Sequence, residues 1–350
     1  MVVLTAMGHW LVYPDTGNPV RPDDTKIFKD LRHAGLSSSV IRAAWPVWWS
    51  DELSSSPSGR TELRFTLARK LGLSPKSLLG ERIEFVWKNK ARFKYLSVQD
   101  DFQQSALTSF GVSLARLLLR ASPRGDSIAG IDAQQLREHI LSAREFVDLQ
   151  GLLVVCWAVG IPVIHLRVFP LPTKSMHAMV VEVEGRHAIL LGRDANYPAP
   201  IAFTLAHELA HIILKHLDGV AALIDLEDPA SANAKDDQEV EADAYALELL
   251  TGSGQPEITT NIENFSALAL AEAVLEAAPI YKIEPGTLAL CLAYRRQLWP
   301  TAMASLHNIY SSSKPVWNEV NAIAINELDW QELNDESAEY LSRVMTGKDE

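Results

Sequence analysis

The spacing of apolar positions changes period several times along this chain. Between the breaker-rich stretches SSSPSG (54–59) and ASPRGDSIAG (121–130), TELRFTLARKLGL has helical spacing. It predicts a helix ending near Gly72, followed by a short one capped by Ser74 with Pro75 in its first turn. IEFVWKNKARFKYL alternates apolar and basic residues and predicts a hairpin. DFQQSALTSFGVSLARLLLR and DAQQLREHILSAREFVDLQGLLVVCWA read as helices. GIPVIHLRVF, HAMVVEVEG and RHAILLG are rich in β-branched residues and predict three strands. Helices return from Pro200 onward, the last near DESAEYLSRVM. The expected fold class is α+β, mostly helical, with a small three-stranded sheet.

Further breaker-rich stretches lie at 227–238, 252–256 and 311–315. The chain is expected to divide into a front unit (1–95), a helical connector (96–145), a central unit (146–255) and a C-terminal helical region (256–350).

Charge sharpens this division. Residues 1–95 hold 15 basic and 9 acidic side chains, a balance of +6, within a chain whose net charge is −12. A basic front on an acidic body predicts separate partners, and the acidic body should not hold nucleic acid non-specifically. The longest apolar run, Gly151 to Ile164, is broken by Gly160 and Pro162 and is too short to span a bilayer. The first residues carry no Lys or Arg before Arg21, a poor fit to a signal peptide. Two cysteines, Cys156 and Cys291, read as buried free thiols rather than a disulfide framework. The expectation is a cytoplasmic protein without a membrane partner.

The polar residues inside one oily stretch carry the chemistry. FTLAHELAHIILKH (203–216) contains His207, Glu208 and His211 in the pattern HExxH. Residues four apart lie about 40° apart around a helix, so both imidazoles project from one face. Zinc takes such nitrogens as ligands, and a glutamate beside the first histidine can hold a water and take its proton. The helix is otherwise apolar nearly all round. Three unpaired polar side chains there would each cost about 1–3 kcal/mol, and one metal ion would satisfy them together.

Zinc needs a third protein ligand. His216 lies about 140° around the helix from His211 and is expected to point away, as an exposed helix-end histidine. His177 and His187 flank a strand and stay as lesser candidates. QEVEADAYALELL offers a better one. At about 100° per residue, Glu239, Asp243, Ala246 and Leu250 share the inward face, while Glu241 and Glu248 lie opposite and are expected to be solvated. Glu239 would be the ligand, and Asp243 would accept the second ring N–H of a ligand histidine.

FTLAHELAHIIL followed by EVEADAYALELL resembles the ImmA/IrrE family of gluzincin-type metallopeptidases, and WAVGIPVIHL resembles that family's lead-in. The likeness covers roughly residues 146–255. It implies a zincin-like catalytic domain, a zinc cofactor, His207, His211 and Glu239 as ligands, and Glu208 as the base. Ala210 stands where the family often has Gly, Asp243 where Asn is usual, and Gly192 where Asn is frequent. The front end, most clearly at LARKLGLSPKSLL, resembles a helix-turn-helix domain of the XRE type. Its reading-helix position, AWPVWWSDEL, offers Pro46, Trp45, Trp48 and Trp49 instead of the usual base-edge readers, so DNA is the less favoured partner of residues 1–95. The likeness also implies a protein substrate, such as a helix-turn-helix repressor or an antitoxin. The rival readings are a DNA-binding regulator with a silent zinc site and the toxin of a toxin–antitoxin pair. Tyr197, His177 and Arg193 remain guesses for the group that stabilises the oxyanion.

Overall fold

Strand residues of this protein feed two different cores, depending on which side of the sheet they face. The computed structural model describes residues 2–4, 10–12, 22–74, 83–87, 91–94, 101–172, 176–225, 236–260, 264–310 and 312–347. A separate antiparallel ribbon pairs β1 (Val2–Leu4) with β2 (Trp10–Val12). The main sheet contains β3 (Ala91–Lys94), β4 (Val163–His165), β5 (Ala178–Val183), β6 (Arg186–Leu191) and β7 (Ala222–Asp225). Their order is β3-β7-β5-β6-β4. β5 runs antiparallel to β6 and β7, while β3 is parallel to β7 and β4 is parallel to β6.

The sheet therefore has five strands, not the three that the β-branched runs predict. β7 is only four residues long and lies in a stretch expected to be helical. β3 was expected in a hairpin. Its residues instead pair with β7, and Phe85 bridges to Leu73. The turn of that hairpin would fall at 88–90, outside the described residues.

Successive side chains of a strand point to opposite faces. Val163, Val180, Ile189, Leu191 and Leu223 pack with helices Leu149–Ala158, Pro198–Ile213 and Asp237–Thr251. Their neighbours Ile164, Met179, Val181, Leu190 and Ile224 face the other way, into a core with the long helix Asp101–Arg120, the front helices and the last helix, Asp335–Thr346. Covering on both faces explains why the strands read as near-continuous apolar runs. Helices Ala267–Tyr281, Pro285–Arg296 and Trp299–Tyr310 form a smaller third core.

The segment expected to be one long helix is two, Ala133–Leu141 and Leu149–Ala158, because Asp148 caps the second by accepting from the Gly151 N–H at 2.8 Å. Cys156 is fully buried, Cys291 is partly exposed, and both thiols are free. None of the described helices is long and apolar enough to cross a membrane.

At the front, helices Lys26–His33, Ser38–Ala44, Asp51–Ser55 and Pro57–Leu71 are joined by tight caps. Pro57–Leu71 ends at Gly72, which has φ 66° and closes the helix in the left-handed conformation glycine favours. The short helix expected after Ser74 lies outside the described residues. The expected reading position, residues 44–53, is not one helix: Ser38–Ala44 ends at its first residue, residues 45–50 are not helical, and Asp51–Ser55 begins within it. Pro46 disfavours helical backbone at Trp45, which is extended at ψ 130° and ends Ser38–Ala44. Trp45 and Trp49 are buried, with ring centroids 6.2 Å apart. Arg343 of the last helix donates to the Trp45 carbonyl at 2.9 Å, and the Tyr340 hydroxyl donates to the Lys70 carbonyl at 3.1 Å.

Candidate metal centre

The helix Pro198–Ile213 starts with Tyr197 at its cap and Pro198 at its first position, where a missing N–H costs nothing. It then runs between the sheet and helix Asp237–Thr251, with His207, Glu208 and His211 all buried. Helix Asp237–Thr251 is fixed at its start by Asp236, whose carboxylate accepts the Glu239 N–H at 3.0 Å. At its end Gly252 adopts φ 86°, and Arg137 donates to the Leu249 and Leu250 carbonyls at 3.1 and 2.8 Å. Both ends of the second helix are thus held while it turns Glu239 inward.

His207, His211 and Glu239 converge. Their imidazole Nε2 atoms are 3.0 Å apart. One Glu239 oxygen lies 3.3 Å from His207 Nε2, the other 3.4 Å from His211 Nε2. Zinc–ligand bonds of about 2.0–2.1 Å at tetrahedral angles set donor atoms about 3.3 Å apart. The three groups therefore fit a metal ion of that size. The donor set, two imidazoles and one carboxylate, suits zinc and other first-row divalent ions alike.

The remaining groups are arranged around this triad. Asp243 Oδ1 is 3.0 Å from His207 Nδ1, so it accepts the second ring N–H and leaves Nε2 free to face the metal position. Glu208 is buried on the same helix, and its Oε1 has no hydrogen-bond partner among the described residues. Asp225 is buried too, with Oδ2 3.6 Å from His207 Nε2.

This density of carboxylates sets the electrostatics. Burial opposes charge on His207, but Asp243, Glu239, Asp225 and Glu208 outweigh it and push the imidazolium up to about 10. Burial, followed by the neighbouring Asp225 charge, pushes the Glu208 carboxyl well above the ordinary range, while His207 pulls it back. Leaving such groups uncompensated would cost several kcal/mol per ion. A divalent cation would offset that cost.

Three other expected residues lie elsewhere or behave differently. His187 is on β6 facing Glu182, 3.7 Å away. Tyr197 stacks on Tyr310 at 5.7 Å at the opposite end of the helix from His211. His177 Nε2 lies 3.0 Å from Thr204 Oγ1, one turn before Glu208, and its backbone N–H bonds the Asp225 carbonyl at 2.7 Å. Gly192 has no room for the Asn that the family resemblance favours, because a Cβ there would run into the Met176 carbonyl.

His216 departs from expectation most. It is 5% exposed, not solvated, and its Nδ1 sits 2.9 Å from His211 Nδ1. The reason is the helix end. Lys215 takes φ 61°, the His216 N–H bonds the His211 carbonyl at 2.9 Å, and the Lys215 N–H bonds the Ile212 carbonyl at 3.2 Å. This paired reversal bends the chain back under its own last turn, which projecting a straight helix misses.

Asp225 went unread in the sequence, although its signal is there. ALID is apolar until its last residue, and Asp225 is two positions after Leu223, which packs on the site helices. The period of two sends Asp225 to the same face.

His207, His211 and Glu239 form a buried group that could hold a metal ion. Residues 158–254 match the model of the IrrE N-terminal-like domain, Peptidase_M78, so this segment is similar to the ImmA/IrrE metallopeptidases. The comparisons with curated proteins and with solved structures gave no match.

Proposed function

We propose that the protein is a zinc-dependent metallo-endopeptidase. The observation that carries this reading is the meeting of His207, His211 and Glu239 within 4.8 Å, with Glu208 buried beside the first histidine. A bound zinc ion would supply Lewis acidity toward the scissile carbonyl and an attacking water. The protein's own residues do the rest. His207, His211 and Glu239 hold the ion, and Asp243 keeps His207 in the tautomer that exposes Nε2. Glu208 takes the proton of the attacking water and delivers it to the leaving amine.

The substrate in this reading is a specific regulatory protein, a helix-turn-helix repressor or an antitoxin, cut in a stress or mobile-element response in the cytoplasm. A helix-turn-helix role for residues 1–95 is secondary, because Trp45 and Trp49 are turned into the core and base-edge readers are missing. A second reading, a regulator with a non-catalytic metal site, is favoured by one observation. Asp225 adds a buried carboxylate 3.6 Å from His207 Nε2, and a structural site would need a fourth donor beyond the three that converge.

Incubating the zinc-loaded chain with proteins encoded beside it, with mass spectrometry of the products, separates the two. A discrete cut that disappears in Glu208→Gln supports the peptidase. Metal binding with no cleavage of any such protein supports the regulator.

A further inference from the structure

Each histidine of the triad offers its second nitrogen to a partner. For His207 that partner is Asp243 directly, at 3.0 Å. For His211 it is another imidazole. His211 Nδ1 lies 2.9 Å from His216 Nδ1, and His216 Nε2 lies 3.2 Å from Glu241 Oε2. Two ring nitrogens share a hydrogen bond only when one carries the proton and the other offers its lone pair. With His211 Nε2 turned toward the metal position, the proton must sit on His211 Nδ1. His216 Nδ1 then accepts, and His216 carries its own proton on Nε2, where it donates to Glu241. This arrangement satisfies every nitrogen in turn and ends on a carboxylate.

We propose that His216 and Glu241 are positioning residues that hold His211 in its metal-binding tautomer and orientation. The inference rests on the metal reading given above. The fold is built for this contact. The left-handed Lys215, a conformation a non-glycine residue seldom adopts, brings the His216 ring to 5.1 Å from that of His211. His211 and His216 are buried, and Glu241 is 64% exposed, so the chain of bonds runs from the interior to the surface. Three carboxylates on one helix thereby take three tasks. Glu239 faces the metal position, Asp243 serves His207, and Glu241 serves His211 through His216. A carboxylate at the far end also raises the basicity of the ligand nitrogen, as it does in carboxylate–histidine–metal arrangements.

Two measurements on the full chain test the relay: zinc affinity by competition with a chelating dye, and the hydrogen-bonded imidazole N–H protons by NMR of the zinc-loaded protein. His216→Phe should weaken zinc by about 10–100-fold and remove the downfield His211 Nδ1–H signal. Glu241→Ala, at an exposed position that leaves folding intact, should weaken zinc less and shift the His216 Nε2–H signal. Glu241→Gln should recover most of that loss, because its amide oxygen still accepts. If His216→Phe does not fold, the Glu241 pair decides the matter. Unchanged affinity and unchanged N–H signals in a zinc-loaded Glu241→Ala would overturn the relay alone. A wild-type chain that takes up no zinc would overturn the metal reading and the relay with it.

Discussion

Two regions of this molecule each carry a family resemblance, and they fare differently in three dimensions. The helix pair Pro198–Ile213 and Asp237–Thr251 keeps its polar residues where helical phase puts them, converging in the interior. The front helices, from Lys26 to Leu71, keep their helical segments but turn Trp45 and Trp49 inward, and residues 45–50 in the middle of the expected reading position are not helical. The difference lies in what each pattern encodes. HExxH and the carboxylates of the second helix are side chains whose chemistry demands a common point in space. LARKLGLSPKSLL encodes a helix and a turn, which many folds use. Physically, the front is part of the core that covers one face of the sheet. Lys70, buried against Glu336 at 3.3 Å, ties it to the last helix.

The comparison can be broken at either region. Glu208→Gln should cut peptide hydrolysis by about 10²–10⁴-fold while keeping the metal, as measured by cleavage kinetics beside elemental analysis. Full activity in this variant would remove the base from the mechanism. At the front, Trp45→Ala should destabilise the fold by about 3–5 kcal/mol in denaturant titration. Val47→Ala, at a position 53% exposed, should stay within about 0.5 kcal/mol. Equal effects would mean that the front helices do not share the core. Asp243→Ala should lower zinc affinity by about 10–100-fold, since His207 loses the acceptor that sets its tautomer.

The pH dependence has a defined sign. In the metal-free chain His207 is raised from 6.5 to about 10, so its contribution to stability is fully present below pH 6.5 and is lost as pH rises through about 10. Zinc must displace that proton. Its affinity should therefore rise by up to about tenfold per pH unit across the same window and then level off. Calorimetric titration checks this, and a flat profile between pH 6.5 and 10 would show that His207 is not protonated in the metal-free fold.

Much of the site was legible because helical phase is strict. Glu239 at 1% exposed and Glu241 at 64% follow from their places around one helix. Asp225 was not read and His216 was read as exposed, for two reasons. Asp225 ends a four-residue strand whose period is too short to stand out. His216 follows a left-handed lysine, a reversal that sequence marks clearly only when the residue is glycine. The three β-branched runs gave three strands, while β3 and β7 depend on each other across more than a hundred residues, a pairing no local pattern reveals.

His207, His211 and Glu239 are expected to hold one metal ion together. Elemental analysis of the purified chain, before and after zinc incubation, tests it most directly. About one zinc per chain is expected, kept in Glu208→Gln and Glu241→Gln and lost in His207→Ala, His211→Ala and Glu239→Gln. A wild-type chain with no stoichiometric metal under either condition, or a Glu239→Gln chain that retains zinc as the wild type does, would contradict it.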